Sequence, residues 1–452
     1  MSNFRQVDRA TGFLLPPSLD DWLPERHLAR FVVEVIDHLD LAAMVKAYRG
    51  SGSASYHPGV LLGLLVYGYA TGVFSSRKIE RATYDSVAFR FIAANDHPDH
   101  DTIAAFRRRF LKEIEGLFEQ VLLLAREAGL LKLGTVALDG SKVHANASRH
   151  SALSYEHANR VEAQLKAEVA ELMALAEAAD RADLPDGMSV PEELARREDR
   201  LARIAAAKAA IEARANERLA RQQAEYQAKL AARAEKTENT GRKPGGSPPA
   251  PPPAGPGPKD QINLTDADSR IMPVAGGGFE QAYNAQAAVA AGSLLVVAGD
   301  VVQAANDKAE VTPMLAALAA LPDALGRPET LLADSGYFSE ANVTACAAAG
   351  IAPLIAPGRE RHHRSWRERF AAAPPAPADP TPVETMVHRL ATAEGRALYA
   401  LRKQTPEPVF GIIKSVMGFR QFSLRGLDKV KGEWRLVTMA WNVRRMFALR
   451  HA

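Results

Sequence analysis

The stretch on which the fold turns is Thr135-Val136-Ala137-Leu138-Asp139-Gly140. A β-branched, apolar run ends in a turn dipeptide, so it predicts a short buried strand that delivers Asp139 at its carboxyl end. A second stretch of the same design, Thr330-Leu331-Leu332-Ala333-Asp334-Ser335-Gly336, predicts another. Between them, strand character covers residues 281–289 and 294–302. A helix follows from Asp307, with Val311, Met314, Leu315 and Leu318 at helical spacing. Beyond Asp334 come a helix over 339–348, a strand over 351–355, a basic stretch over 359–370, a Pro-rich break over 374–382 and a final helical region from about Thr392.

The order is strand, insert, strand, strand, helix, strand, helix, strand, helix. It predicts an α/β fold, an RNase H-like mixed sheet flanked by helices. The insert separates the first strand from the second, which a hairpin connection tolerates because loop length is entropically cheap. Residues 154–240 are rich in Ala, Glu and Arg, with apolar stripes through Val161, Leu165, Val169, Leu172 and through Leu201, Ile204, Ile211. They predict a long helical hairpin turning at Pro185-Asp186-Gly187. Its charges over 151–240, fourteen basic against seventeen acidic, favour contacts with protein over contacts with phosphate. The expected domains are an all-α N-terminal domain over 1–130, the first core strand and motif over 131–149, the hairpin insertion over 150–242, a Pro/Gly linker over 243–260 and the rest of the catalytic domain over 261–452.

In the N-terminal domain, residues 28–47 and 60–69 read as helices. Ser76 and Glu80 suggest a capping box, and Asp101-Thr102 opens a long helix running to Leu124. Arg77, Lys78, Arg81 and Arg107-Arg108-Arg109 are expected on its surface. Two readings stand side by side: a helix-turn-helix-like DNA-binding unit, or a dimerisation module with a solvated basic face.

Composition narrows the class. The chain has 452 residues, with Lys+Arg 56 against Asp+Glu 53, a net charge of +3. That excludes a polycationic tail protein, but local charge decides nucleic-acid binding. A single cysteine, Cys346, excludes a disulfide framework and fits a reducing cytoplasm. The uncharged runs 58–76 and 281–299 are interrupted by Gly, Tyr, Gln and Asn, so no membrane partner is expected. Trp434 and Trp441, seven apart among apolar residues, suit a core helix.

Three acidic residues stand at element ends: Asp139, Asp334, and Glu407 in the first turn of a helix begun by Thr405-Pro406. Singly, each has an ordinary use in a turn, a cap or a helix dipole. Converging, they make the hard oxygen site that two Mg²⁺ or Mn²⁺ ions require for phosphodiester chemistry. Glu407 and Lys414, seven apart, share a helix face. The segment 399–452 carries eleven Lys/Arg against three Asp/Glu, a patch suited to a phosphate backbone.

Several ordered segments carry a resemblance. Leu138-Asp139-Gly140-Ser141-Lys142-Val143-His144, Ala333-Asp334-Ser335-Gly336-Tyr337 and Arg402-Lys403-Gln404-Thr405-Pro406-Glu407 resemble the three catalytic segments of bacterial insertion-sequence transposases of the DDE class. Gly278-Phe279-Glu280-Gln281-Ala282-Tyr283-Asn284 and His97-Pro98-Asp99-His100-Asp101 are similar as well. The resemblance implies that Asp139, Asp334 and Glu407 bind two divalent ions. It also implies nicking at element ends followed by transfer of the freed 3′-hydroxyl into target DNA. Double-stranded DNA, both terminal inverted repeats and target, is the implied partner, with a homodimer in the synaptic complex and the bacterial nucleoid as location. In the family's third motif Tyr, Arg, Glu and Lys recur. Tyr399, Arg402 and Lys414 keep their places, but four residues instead of three separate Arg402 from Glu407, so Lys403 is a second candidate for the phosphate contact. Arg107 and Arg108 are the N-terminal DNA-binding candidates. The rival readings are a nuclease of this fold that cuts without joining and an inactive DNA-binding regulator of the element.

Overall fold

The computed structural model describes residues 18–48, 55–178, 189–242, 245–274, 276–358 and 375–451. The turn expected at 185–187 and the basic stretch 359–370 lie outside the described residues. The chain forms two compact units, one of Met1–Ala145, Met272–Gly278 and Ala282–Ala452, the other of Asn146–Ile271 and Phe279–Gln281.

The described strands are β1 (Thr135–His144), β2 (Ala152–Ser154), β3 (Gln261–Asn263), β4 (Arg270–Pro273), β5 (Phe279–Ala290), β6 (Val296–Val302), β7 (Thr330–Ala333) and β8 (Ala352–Ile355). The main sheet runs β4-β5-β1-β7-β8, with β6 also on β5. β5 is antiparallel to β1 and β6, whereas β1, β7 and β8 are mutually parallel. This is the mixed sheet expected, with β1 at its centre.

One expectation is corrected. Asp139-Gly140 is not a turn and Asp139 does not end its strand. β1 runs on to His144, pairing Asp139 with Ala287, Gly140 with Gln286 and His144 with Ala282. The parallel partner stops at Ala333, but the longer antiparallel partner keeps supplying ladder hydrogen bonds. Gly140 is required there by crowding: a Cβ would lie 2.2 Å from Gln286 Nε2 and 2.6 Å from Asp307 Oδ1.

Helices cover both faces. Ala137, Leu332 and Leu354 pack against Leu390, Leu398, Tyr399 and Leu401. Against β5 and β6 lies the C-terminal helix Leu427–Arg450. Its Trp434 donates from Nε1 to the Gln286 carbonyl at 3.0 Å, and Asn442 both accepts from Val296 N and donates to Val296 O at 2.8 Å. Both tryptophans are core residues, as expected. A helix over Pro382–Ala391 precedes the expected start at Thr392. Thr381 and Glu384 form its capping box, at the edge of the Pro-rich break.

The N-terminal helices belong to this same unit. Pro58–Thr71 is apolar on every side and therefore buried. Among the described residues no single helix is long and apolar enough to cross a membrane. The capping box expected from Ser76 is absent: Ser75 is the N-cap residue, and Glu80 accepts instead from His100 N at 3.2 Å. The spacing of four places Glu80 one residue past the box position. The long helix expected from Asp101 is two helices, His100–Arg109 and Leu111–Glu127, broken at Phe110, with Asp99 capping the first through Thr102 N at 2.8 Å.

In the second unit, helices Tyr155–Ala178 and Val190–Thr240 pack through Leu165, Ala158, Ile204, Ala207 and Ile211, with Leu153 and Ile262 of the β2–β3 ribbon. The end of the Pro/Gly stretch is tied down: Tyr155 N donates to Asp260 O at 2.8 Å, and Asp260 Oδ2 accepts from Gly257 N at 2.8 Å.

Candidate active site

Two carboxylates meet by strand register. β1 and β7 pair last at Ala137↔Leu332. Asp139 and Asp334 each lie two residues further, so parallel pairing sets them side by side on neighbouring central strands. Asp334 Oδ1 accepts from Gly336 N at 2.8 Å, capping the short turn Ser335–Tyr337. Asp139 accepts from Gly140 N at 2.8 Å. Burial, and after it the charges of Asp334 and Asp307, raise the Asp139 carboxyl to about 6, against the opposing pull of Gly140 N–H and Arg402.

Asp307 is a member that sequence reasoning did not single out. It lies on the loop before helix Val311–Ala319 and accepts from Asn284 Nδ2 at 2.6 Å and Gln286 Nε2 at 2.7 Å, with Lys142 Nζ at 3.6 Å. Tyr337 donates its hydroxyl to Gln286 Oε1 at 2.5 Å. Asn284 and Gln286 are fully buried polar residues two apart on β5, hence on one face. That period-two placing of amides in an apolar strand was the available signal.

Glu407 opens helix Pro406–Ser415 as expected, but Thr405 does not cap it, since its hydroxyl donates back to Leu401 O at 2.7 Å. The Glu407 side chain is 53% exposed and faces Arg402, Oε1 to Nη1 3.7 Å. Arg402 is largely buried over the Tyr399 ring, 5.8 Å to its centroid, and its Nε is buried without an acceptor. Lys414 is not a solvated lysine. Its Nζ donates to Ser141 Oγ at 2.6 Å and Lys142 O at 2.7 Å, fastening the glutamate helix to β1 just past Asp139. Burial, then the charges of Arg420 and Lys142, lower its pKa.

Of the other candidates, Lys403 and Arg108 are exposed, as are Arg77, Lys78 and Arg81. Arg107 is not: it is buried, donating from Nη1 to Tyr69 Oη at 2.9 Å and Phe74 O at 3.2 Å. The structure thus brings Asp139, Asp334, Arg402 and Lys414 to the same end of the sheet, with Glu407 turned to Arg402.

A hard divalent cation suits the aspartate pair, where burial, and after it the charge of Asp334, disfavours the bare Asp139 carboxylate. Among the described residues no three acidic, imidazole or thiol groups stand together as a ready metal cage.

Strand order, the split between β1 and β5, and acids on adjoining central strands define an RNase H-like domain. Residues 17–109 match the family described as Transposase domain (DUF772), and residues 259–443 match the Transposase DDE domain. The chain belongs to the DDE transposases of insertion sequences. No curated protein and no solved structure matches it. The DDE match begins after the insert, so it contains Asp334 and Glu407 but not Asp139. Asp139 stands outside the match, on β1 at the centre of the sheet.

Proposed function

We propose that this transposase cuts DNA at the ends of its element and joins the freed 3′-hydroxyl to target DNA, with Asp139, Asp334 and Glu407 as its catalytic carboxylates. The observation that carries the reading is the register-matched aspartate pair, with burial and Asp334 raising Asp139 to about 6. Such a pair is unfavourable alone and suited to divalent cations. Two bound Mg²⁺ or Mn²⁺ ions supply activation of the attacking oxygen and stabilisation of the leaving one. The chain's own residues do the rest. Lys414 holds the glutamate helix against β1. Arg402, stacked on Tyr399 with an unused donor, and exposed Lys403 suit the phosphate backbone. The N-terminal helices over 1–130 bind DNA or a second copy, with exposed Arg108 among the contacts, while the buried Arg107 supports the fold. The 131–149 strand and the 261–452 segment together form the catalytic domain, split by the 150–242 insertion and the 243–260 stretch. The working form is a homodimer on paired terminal repeats, in the cytoplasm at the nucleoid.

The test is incubation of a labelled element end and a target plasmid with Mg²⁺. Wild type is expected to yield both nicked and joined products. Asp139→Asn is expected to lose both, at least a hundredfold, while retaining DNA binding. Nicking without joining would make the protein a nuclease of the same fold, and no cleavage by wild type would make it a DNA-binding regulator. An active Asp139→Asn variant overturns the site.

A further inference from the structure

The second unit is slightly acidic as a whole, yet its charges are not evenly placed. Along the first part of helix Val190–Thr240 and its partner helix, the acids are taken up in pairs: Glu162 with Lys166 and Lys208, Glu168 and Glu193 with Arg197, Asp199 with Arg203. Further along the same helix, three arginines gather on one side. Arg214, Arg218 and Arg221, spaced four and three apart, share one face and line a cleft of about 450 Å³.

The opposite wall is Lys259–Gln261 together with Asn263, Ser269 and Arg270. Five basic side chains line the cleft against two acidic ones, Glu217 and Asp260. Asp260 is already satisfied, accepting from Arg218 Nη1 at 3.0 Å and Nη2 at 2.7 Å. Arg270 Nη1 is held in place by the carbonyls of Ala267, Asp268 and Ser269 at 2.9–3.0 Å. Arg214 is bonded through Nη2 to Ala267 O, while its Nη1 is buried with no acceptor, an arrangement folded proteins rarely leave unanswered. Arg221 and Lys259 are exposed and have no hydrogen bond or ion pair among the described residues. The cleft is therefore concave, with fixed donors at its base and free cations at its rim.

We infer that this cleft is a second DNA contact, separate from the catalytic carboxylates, which receives phosphodiester groups of a DNA strand. The choice of DNA as the anion rests on the transposase reading. The expectation that the insertion favours protein over phosphate, drawn from its summed charge, overlooks this local separation. Arg214 and Arg218, anchored to Ala267 O and Asp260, form a fixed basic wall, and Arg221 and Lys259 neutralise the backbone, releasing counterions.

The experiment measures binding of the full-length protein to a labelled element end across a salt series, followed by cleavage of that end in Mg²⁺. Arg221→Ala/Lys259→Ala removes two cations that hold no structural bond. Lys229→Ala/Lys236→Ala removes the same charge from exposed positions of the same helix that do not line the cleft. The cleft pair is expected to weaken binding tenfold or more and to reduce the slope of log affinity against log salt by about 1.8, with the control pair near wild type. Equal slopes for wild type and the cleft pair, or equal losses for both pairs, overturn the inference. A wild type that binds with the expected difference but never cuts the end overturns the catalytic reading and leaves the cleft assignment supported.

Discussion

Glu433 offers the sharpest test of how the first unit holds its active strand. It is fully buried on the C-terminal helix and accepts from Tyr69 Oη at 2.8 Å and from Ser423 N and Leu424 N at 2.9 Å each. Tyr69 in turn accepts from Arg107. The loop that Glu433 grips also reaches β1: Phe422 N donates to His144 O at 2.9 Å, and His144 N donates to Arg420 O at 3.0 Å. One carboxylate therefore links an N-terminal helix, the loop after the glutamate helix and the strand of Asp139. Replacing it by Leu takes the acceptor from two buried donors, Tyr69 Oη and Leu424 N, at about 1–3 kcal/mol each, and weakens the hold on the half-buried Ser423 N. After local relaxation the expected loss is about 3–5 kcal/mol. Tyr69→Phe removes only one of those donors and is expected to lose about 1–2 kcal/mol on its own. In the Leu background that donor is already unsatisfied, so the second substitution removes only the acceptor of Arg107 and is expected to cost less than in wild type, a coupling of about 1 kcal/mol. Urea unfolding of wild type, both single variants and the double variant measures it. Additivity within about 0.5 kcal/mol refutes the shared network.

Two further outcomes follow from the same geometry. In a chelator, Asp139→Asn is expected to unfold at higher denaturant than wild type near pH 8. Its carboxyl is raised from 3.8 to about 6, so the wild type loses stability as pH climbs through that interval, by at most about 3 kcal/mol. The gap should be absent near pH 3.5 and complete above pH 7, and a pH-independent gap contradicts the assignment. Gly140→Ala forces a Cβ against Gln286 Nε2, Asp307 Oδ1 and Asn284 Oδ1, within 2.9 Å of each. It is expected to cost about 1–3 kcal/mol and to depress cleavage while sparing DNA binding, and wild-type cleavage by that variant refutes the packing argument.

Five strands were legible because they are apolar runs bounded by Asp, Ser and Gly, and the order of those runs was enough to name the fold, whereas the short β2, β3 and β4 carry no such run. Strand length was not legible. Asp139-Gly140 has turn composition, but composition says nothing of the twelve-residue antiparallel partner that carries β1 past it. Residues 382–391 were hidden for a related reason. A Pro-rich approach masked the Thr381/Glu384 box, although Pro382 sits where a first helical position accepts proline. Ser76 and Glu80 show the converse, since a plausible pair of residue types at a spacing of four cannot close a box that needs three.

The site divides along the line between what one residue carries and what several create together. Asp139, Asp334 and Glu407 are proposed carboxylates that type and position single out. Type and position do not show their inequality: two are neighbours through strand register, and the third is half exposed beside Arg402. Nor does Asp307 advertise itself, because its role comes from two amides on β5 that matter only once that strand lies against β1. The basic residues make the same point through their surroundings. In a run of three arginines, Arg107 is buried on Tyr69 while Arg108 is exposed, a difference fixed by helix rotation. In an insertion of near-balanced charge, the cleft lined by Arg214, Arg218 and Arg221 holds two cations, Arg221 and Lys259, with no hydrogen bond or ion pair among the described residues. Net charge counts residues, whereas a phosphate meets only those that the fold has left without a closer partner.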